Sequence, residues 1–336
     1  MIITFMRSSS LGTLDMCEMK YFFQYVLGMK DKTNKKAVMG TITHRALQVL
    51  GDKKIAMAQE KDIVENDDIR DLLLDECDDF ELVTKVCFDY YKKNEENVGL
   101  STSDLNTCIK WLHKATSYRN GILDPRKQDV FATELFFDFE IKKDWAKYDF
   151  TVQDKQFSGY LGLKGTIDVI VKEGEAYFQV LDYKTGRRLN WATGKEKTHE
   201  DLYHDKQLLL YYYALKNLYP DWMFYVSIYY INDGGIFDIV FDEEHYNLAE
   251  NMIKQRFEKI TSIQLPKQLS SEQTDWKCTK LCKFSSNYKN SKKTTCKYFH
   301  DMIKYEGMDY VVQNYAELNK IGKYGAGGGR LEDDQK

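Results

Sequence analysis

A chain of 336 residues, 43% hydrophobic and 30% charged, has enough apolar surface for two ordinary domains or one large α/β domain with insertions. That composition excludes disorder as the main state, and three prolines exclude a collagen-like or proline-rich protein. A net charge of −4 with a pI near 6.0 excludes a uniformly basic nucleic-acid coat.

The N-terminal stretch carries no basic-plus-apolar leader, and no run of 18 apolar residues follows, so no membrane span and a cytoplasmic location are expected. Residues 1–30 read as a short start followed by a helix, with Leu14, Cys17, Tyr21 and Tyr25 at helical spacing and Ser10 or Thr13 as its cap. A lysine-rich loop at 30–36 precedes a second helix starting near Gly40. Residues 59–104 hold 15 acids against 5 bases, and the stripe Ile69, Leu72, Leu73, Cys77, Phe80, Val83 and Val86 predicts an amphipathic helix with a solvated acidic face. A further helix is expected over 104–121. The period then changes: Phe131–Ile141, 160–171 and 176–183 read as strands, 201–219 as a helix, and 224–231 with 236–241 as a hairpin across Asn232-Asp233-Gly234-Gly235. Helices are expected over 243–260 and 298–315, with a Lys- and Cys-rich segment at 277–297 between them. The Gly-rich tail from Gly322 reads as mobile. The chain contains no GxxxxGK[ST] and no GxGxxG, so nothing suggests an ATP motor or a dinucleotide site.

The stretch 165–186 carries chemistry. Asp182 and Lys184, two apart on a strand, point to one face, and Asp168 meets them if its strand is adjacent. Two carboxylates at sheet level make an oxygen cradle suited to Mg²⁺ or Mn²⁺, to which the Tyr183 carbonyl can add a ligand. Lys184 then supplies positive charge near an attacking water or a scissile phosphate, either orienting or deprotonating the water. This is the equipment of metal-assisted phosphodiester hydrolysis. A lone D-x-K is common, so its companions matter. His44 opens a helix and can be a further metal ligand or a core histidine. Glu134 is an inward acid or a solvent-facing strand residue. Gln207 and Tyr211, four apart on a helix, can orient the site or touch phosphate, or belong to the core.

The ordered series His44, Glu134, Gly165-x-x-Asp168, Asp182-x-Lys184-Thr-Gly and Gln207-x-x-x-Tyr211 resembles the RecB-like branch of the PD-(D/E)XK nucleases. The opening Leu14-x-x-Cys17-x-x-Lys20-Tyr21-x-x-x-Tyr25-x-x-Gly28 resembles it too. The resemblance spans residues 8–300 and implies an α/β fold with a restriction-endonuclease-like mixed sheet of αβββαβ type flanked by helices. It implies a single nuclease domain over 1–320, with a helical insertion at 59–125, a cluster segment at 277–300 and a flexible tail at 321–336. It further implies metal ligation by His44, Asp168 and Asp182, a catalytic Lys184, and support from Gln207 and Tyr211.

The chain has 7 Cys, an odd number and a poor disulfide framework. Cys77, Cys87 and Cys108 fall on helical stripes and read as core thiols. Cys17 together with Cys278, Cys282 and Cys296 resembles AddB-type nucleases and the small CRISPR-associated RecB-like exonucleases, which implies a [4Fe–4S] cluster acting as a structural staple. The alternative is a local zinc knuckle of Cys278, Cys282, Cys296 and His300.

Residues 277–304 carry 8 Lys and one acid. Lys283 and Lys289 there, with interleaved Phe284, Tyr288 and Tyr298, suit phosphate contact and base stacking, or form a solvated loop. Arg187, Arg188, Lys195 and Lys197 follow the D-x-K strand directly, and Trp191 among them can stack on a base. The expected protein is a Mg²⁺- or Mn²⁺-dependent DNA nuclease, an exonuclease on single strands or ends, working in recombination, repair or end processing. It would act in a bacterial host or phage-infected cell, alone or with a separate helicase, recombinase or integrase. A prespacer-trimming nuclease of CRISPR adaptation and a non-catalytic DNA-binding scaffold are the alternatives.

Overall fold

Residues 162–184 form two long strands, Gly162–Lys172 and Tyr177–Lys184, joined by a short turn. They run antiparallel, from Val169 opposite Leu181 to Lys172 opposite Phe178. Tyr177–Lys184 then pairs in parallel with Met223–Tyr230, which turns back into Gly235–Val240. The result is a mixed sheet. Six of the eight residues in Tyr177–Lys184 are buried, as befits an interior strand covered on both faces. A parallel connection needs a crossover, and the helix Lys206–Leu218 supplies it. The expected α/β class with a mixed sheet is observed.

The computed structural model describes residues 1–189, 195–269 and 275–321. The chain divides into two units, each built from separated stretches. One takes Met1–Lys32, Phe137–Gly165 and the described part of Asn247–Lys336; the other takes Thr33–Phe136 and Thr166–Tyr246. Trp191 and the tail expected from Gly322 lie outside the described residues.

The second unit holds the sheet from Thr166 onward and a helical layer. Its long helix, Lys35–Ala58, begins five residues before the expected Gly40 because Asn34 caps it, accepting from the Lys36 amide. Helices Phe80–Asn94 and Thr102–Ser117 pack with it around a core containing Ile42, Leu50, Val83 and Leu112, together with fully buried Cys77, Cys87 and Cys108. The continuous helix expected through 59–104 is absent. A two-residue ladder, Ile63–Val64 with Leu72–Leu73, and a 3-10 turn at Glu76–Asp78 stand in its first half. The physical reason is local competition by carboxylates. Glu76 pairs with Arg70 and accepts the Leu73 amide at 2.9 Å, and Asp79 accepts the Glu81 and Leu82 amides, so a helix starts only at Phe80. Two other expected helices are each split. The pieces His199–Tyr203 and Lys206–Leu218 part where Asp205 caps the second. Thr295–Glu306 and Met308–Tyr315, in the first unit, part at Gly307 with φ 93°. The helix at 102 ends at Ser117, before Arg119 and Asn120 take left-handed φ.

In the first unit, Phe5–Met6 pairs in parallel with Gly162 and Leu163. The helix Ser8–Met16 stops at extended Cys17, a short helix Glu18–Tyr21 follows, and Ser10 sits at the third helical position instead of the cap. Phe23 packs against Phe284 and Phe299, with ring centroids at 4.5 and 5.5 Å. The N-terminal ammonium donates to the Ile260 and Ile263 carbonyls. A hairpin of Lys147–Val152 with Lys155–Tyr160 was not expected from the sequence.

Gly165, which opens the G-x-x-D motif, has a steric duty. A Cβ there would lie 2.3 Å from Phe137 Cζ. Gly165→Ala is expected to cost about 1–3 kcal/mol through overpacking, read as a lower melting temperature. Gly12→Ala, where nothing lies within 4 Å, is the matched control.

Candidate active site

Three residues of the second unit converge on one acidic centre. The helix Lys35–Ala58 brings His44, the strand Val130–Glu140 brings Glu134, and the strand Gly162–Lys172 brings Asp168. One ligand atom from each lies within 4.8 Å of the other two, and among the described residues no other such trio of His, Cys, Asp or Glu occurs. His44 Nδ1 stands 3.3 Å from Asp168 Oδ2, and the Tyr183 amide donates to that oxygen at 2.8 Å. The donor set, two carboxylates and an imidazole, fits a hard divalent cation.

Asp182 and Lys184 lie beside this trio on the next strand. Lys184 Nζ is 2.9 Å from Asp182 Oδ1 and 2.6 Å from Oδ2. Asp182 falls outside the ligand trio and is held instead by a hydrogen-bond chain. Gln207 Nε2 donates to Asp182 Oδ1 at 2.8 Å and to the Tyr211 hydroxyl at 2.6 Å, and that hydroxyl donates to the Thr166 carbonyl at 2.8 Å. The helix turn between Gln207 and Tyr211 therefore fixes the rotamer of a fully buried carboxylate.

The electrostatics favour a bound cation. Burial pushes Asp182 up to about 6 even against Lys184. Burial and the Asp168 charge push Glu134 up to about 7. For Asp168 burial is outweighed by His44, Lys184 and the Tyr183 amide, which hold its carboxyl below the usual range. Burial opposes the Lys184 ammonium, but Asp182 and Asp168 outweigh it and hold its pKa above the ordinary lysine value. The His44 imidazole, too, is held above its usual value, because Asp168 outweighs burial. Repulsion among Glu134, Asp168 and Asp182 is what a divalent ion would relieve.

The Tyr183 side chain points away from this chemistry, its hydroxyl donating to the Leu123 carbonyl at 3.0 Å. An open hollow of about 440 Å³ adjoins Lys184, lined by Thr185, Gly186, Arg187, Asn232 and Asp233. Arg188 is engaged by Glu196 at 2.7 Å, by the Lys197 carbonyl at 2.8 Å and by the Phe237 ring. Lys197 pairs with Asp205, and Lys195 is exposed. Sequence reasoning missed Asp205, which caps the Gln207 helix; the pattern Asp205-Lys206-Gln207 ahead of an apolar run was its signal.

The late cysteines sit in the first unit. Cys278 lies in the helix Trp276–Leu281, Cys282 just after it, and Cys296 in the first turn of Thr295–Glu306. Lys20 Nζ donates to the Leu281 carbonyl at 2.8 Å and pairs with Asp31, which in turn accepts the Lys283 amide at 3.0 Å. These bonds tie the segment of Cys17 to that of Cys282. Burial pushes the Cys282 thiol up to about 11, with Asp31 and Cys17 adding to the effect, and burial raises Cys17 as well. Gln268 Nε2 donates to Cys296 Sγ at 3.3 Å. Among the described residues, no three of Cys278, Cys282, Cys296 and His300 bring ligand atoms within 4.8 Å of one another. Lys283 and Lys289 lie over the Phe284 and Tyr288 rings at 6.0 and 5.2 Å. No helix among the described residues is long and apolar enough to cross a membrane.

No curated protein matches the chain. Among solved structures, that of an exonuclease candidate from Eubacterium rectale aligns with a TM-score of 0.44 at 11% identity, over 77% of this chain and 80% of that one. The family model of the PD-(D/E)XK nuclease superfamily matches residues 8–286, which include His44, Asp168, Asp182, Lys184, Gln207 and Tyr211. With that match covering most of its length, the chain belongs to the PD-(D/E)XK nuclease superfamily.

Proposed function

We propose that the protein is a Mg²⁺- or Mn²⁺-dependent deoxyribonuclease of the RecB-like branch, trimming single-stranded DNA or DNA ends in recombination, repair or end processing. The observation that carries this reading is the placement of the Asp182–Lys184 pair beside the His44, Glu134 and Asp168 trio. His44, Glu134 and Asp168 would hold the ion, with Asp182 at its flank. A bound divalent ion supplies Lewis-acid polarisation of a phosphoryl oxygen and a lowered pKa for water. The chain's own residues do the rest. Lys184, whose ammonium form Asp182 and Asp168 favour, stabilises charge that develops on the phosphate. Gln207 and Tyr211 keep Asp182 oriented toward Lys184 throughout. The hollow past Thr185 and Gly186, with Arg187 on its wall, gives the flanking nucleotide a place to lie. Cys17, Cys278, Cys282 and Cys296 would carry a [4Fe–4S] staple, a reading supported by their gathering in one unit.

The test is a nuclease assay on 5′- and 3′-labelled single and double strands of DNA, with RNA for comparison, in Mg²⁺, Mn²⁺ or EDTA. Shortening of single strands from one end, seen only with metal, is expected. Because Glu134 sits near 7, protons compete with the ion below that pH, and the metal concentration for half-maximal rate should rise as pH falls from 8 to 6. Absence of cleavage under every metal condition would overturn the proposal.

A further inference from the structure

The strand that delivers Glu134 is irregular, and the irregularity has an identifiable clamp. In a regular strand, consecutive side chains point to opposite faces. Here Thr133 and Glu134 both reach residues of the same helix. The Thr133 hydroxyl donates to Asp52 Oδ1, and the Glu134 carboxylate joins His44. Glu134 makes this possible by adopting φ +44°, a left-handed conformation that is costly for a residue with a side chain. The burial pattern agrees. Val130 and Phe137 are both buried although seven positions apart, where strict alternation would place them on opposite faces. A left-handed residue inside a strand breaks its alternation, as a β-bulge does, and bulges re-aim side chains.

Such a conformation persists only if its surroundings hold it. Gly51 lets the strand approach, since a Cβ there would sit 2.5 Å from Thr133 Cγ2. Asp52 takes the Thr133 hydroxyl on one oxygen and has Arg45 Nη1 4.0 Å from the other. Arg45, nearly fully buried, is gripped by Asn66 Oδ1 at 2.9 Å and Asp68 Oδ1 at 2.6 Å. Asn66 is fixed in turn by the Val64 and Arg70 carbonyls, to which its side chain donates at 3.0 and 3.2 Å. The loop after Ala58 is therefore wired to the strand of Glu134 through five side chains, Thr133, Asp52, Arg45, Asn66 and Asp68.

We propose that Thr133 and Asp52, braced by Arg45 and the Asn66–Asp68 loop, are positioning residues that hold the left-handed Glu134 so that its carboxylate completes the metal site. The inference rests on the metal reading of His44, Glu134 and Asp168. It gives the acidic segment after residue 59 a task in the site, where its charge alone suggested only a solvated face.

The test is Mn²⁺ affinity of the full chain, measured by electron paramagnetic resonance without substrate. Thr133→Val keeps the shape and removes the hydroxyl. It is expected to weaken Mn²⁺ binding about 10-fold or more, the usual cost of losing a supporting bond behind a ligand. Thr133→Ser, which keeps the hydroxyl, should bind Mn²⁺ as the unmodified protein does. Cleavage by Thr133→Val should recover at saturating Mn²⁺, a split that general loss of structure would not produce. Asp52→Ala is the second variant should Thr133→Val fail to fold, with the same expected weakening. Unchanged affinity in Thr133→Val, or in Asp52→Ala in its place, together with weakened binding in Asp168→Asn, overturns the clamp and leaves the metal site standing. Unchanged affinity in Asp168→Asn and Glu134→Gln as well overturns both.

Discussion

Lys184→Ala is expected to slow DNA cleavage by about 10²–10³-fold or more, while DNA binding changes only a few-fold. The half-buried ammonium lies 2.6 Å from the fully buried Asp182 Oδ2, where a charge interacts more strongly than in water. Its removal deletes stabilisation at the reacting centre and leaves the Arg187 side of the hollow untouched. Asp182→Asn should be as damaging to cleavage, and its stability behaviour distinguishes the site from a structural ion pair. A carboxyl held up at about 6 ionises less readily folded than unfolded, so its ionisation opposes folding as pH rises from near 4 to 6. At pH 7 without metal, Asp182→Asn removes that cost together with the Asp182 charge that helps to hold the Lys184 ammonium, so the two effects oppose and the melting temperature is expected to shift little. A variant with full activity would remove Lys184 or Asp182 from the chemistry. A sharp fall in melting temperature for Asp182→Asn would mark the pair as structural.

Cys17→Ser should bleach the protein. Under the [4Fe–4S] reading, anaerobically purified protein is brown with broad visible absorption, and this variant loses both colour and iron. A link between Cys17 and Cys282 closes a loop of about 265 residues. By the loop-closure arithmetic used for disulfides this is worth roughly 5 kcal/mol, or a fall in melting temperature of about 7 °C at the usual unfolding entropy per residue. Cys87→Ser leaves iron in place because Cys87 lies in the helical core of the other unit. Colourless protein containing one zinc, or a Cys17→Ser variant that keeps its iron, would sink the cluster.

The sheet and the D-x-K face were legible because their cause is local. A buried interior strand must be nearly continuous in apolar residues, and a period of two puts Asp182 and Lys184 on one side. The helix phase of Gln207 and Tyr211 was legible for the same reason. What stayed hidden depends on contacts between distant residues or on rare backbone states. The hairpin at 147–160 turns on Gln153-Asp154, both left-handed at φ 50° and 61°, without the glycine that marks such turns. The stripe from Ile69 to Val86 mimics a helix, but the Arg70–Glu76 pair and the Asp79 cap divide it. Thr133 and Asp52 look unremarkable in sequence, since their place follows from the conformation of Glu134, which no pattern announces.

The segmental make-up of the first unit has a consequence for synthesis. The Met1 ammonium meets carbonyls at Ile260 and Ile263, and Lys20 meets the carbonyl of Leu281. On a ribosome adding roughly 5–20 residues per second, the first helices wait about 13–50 s for their partners to emerge. The second unit closes with Tyr246, so its hydrophobic core can form while Phe22 and Phe23, fully buried at the end, are still without cover. During that interval the nascent chain exposes aromatic surface of the kind that chaperones hold.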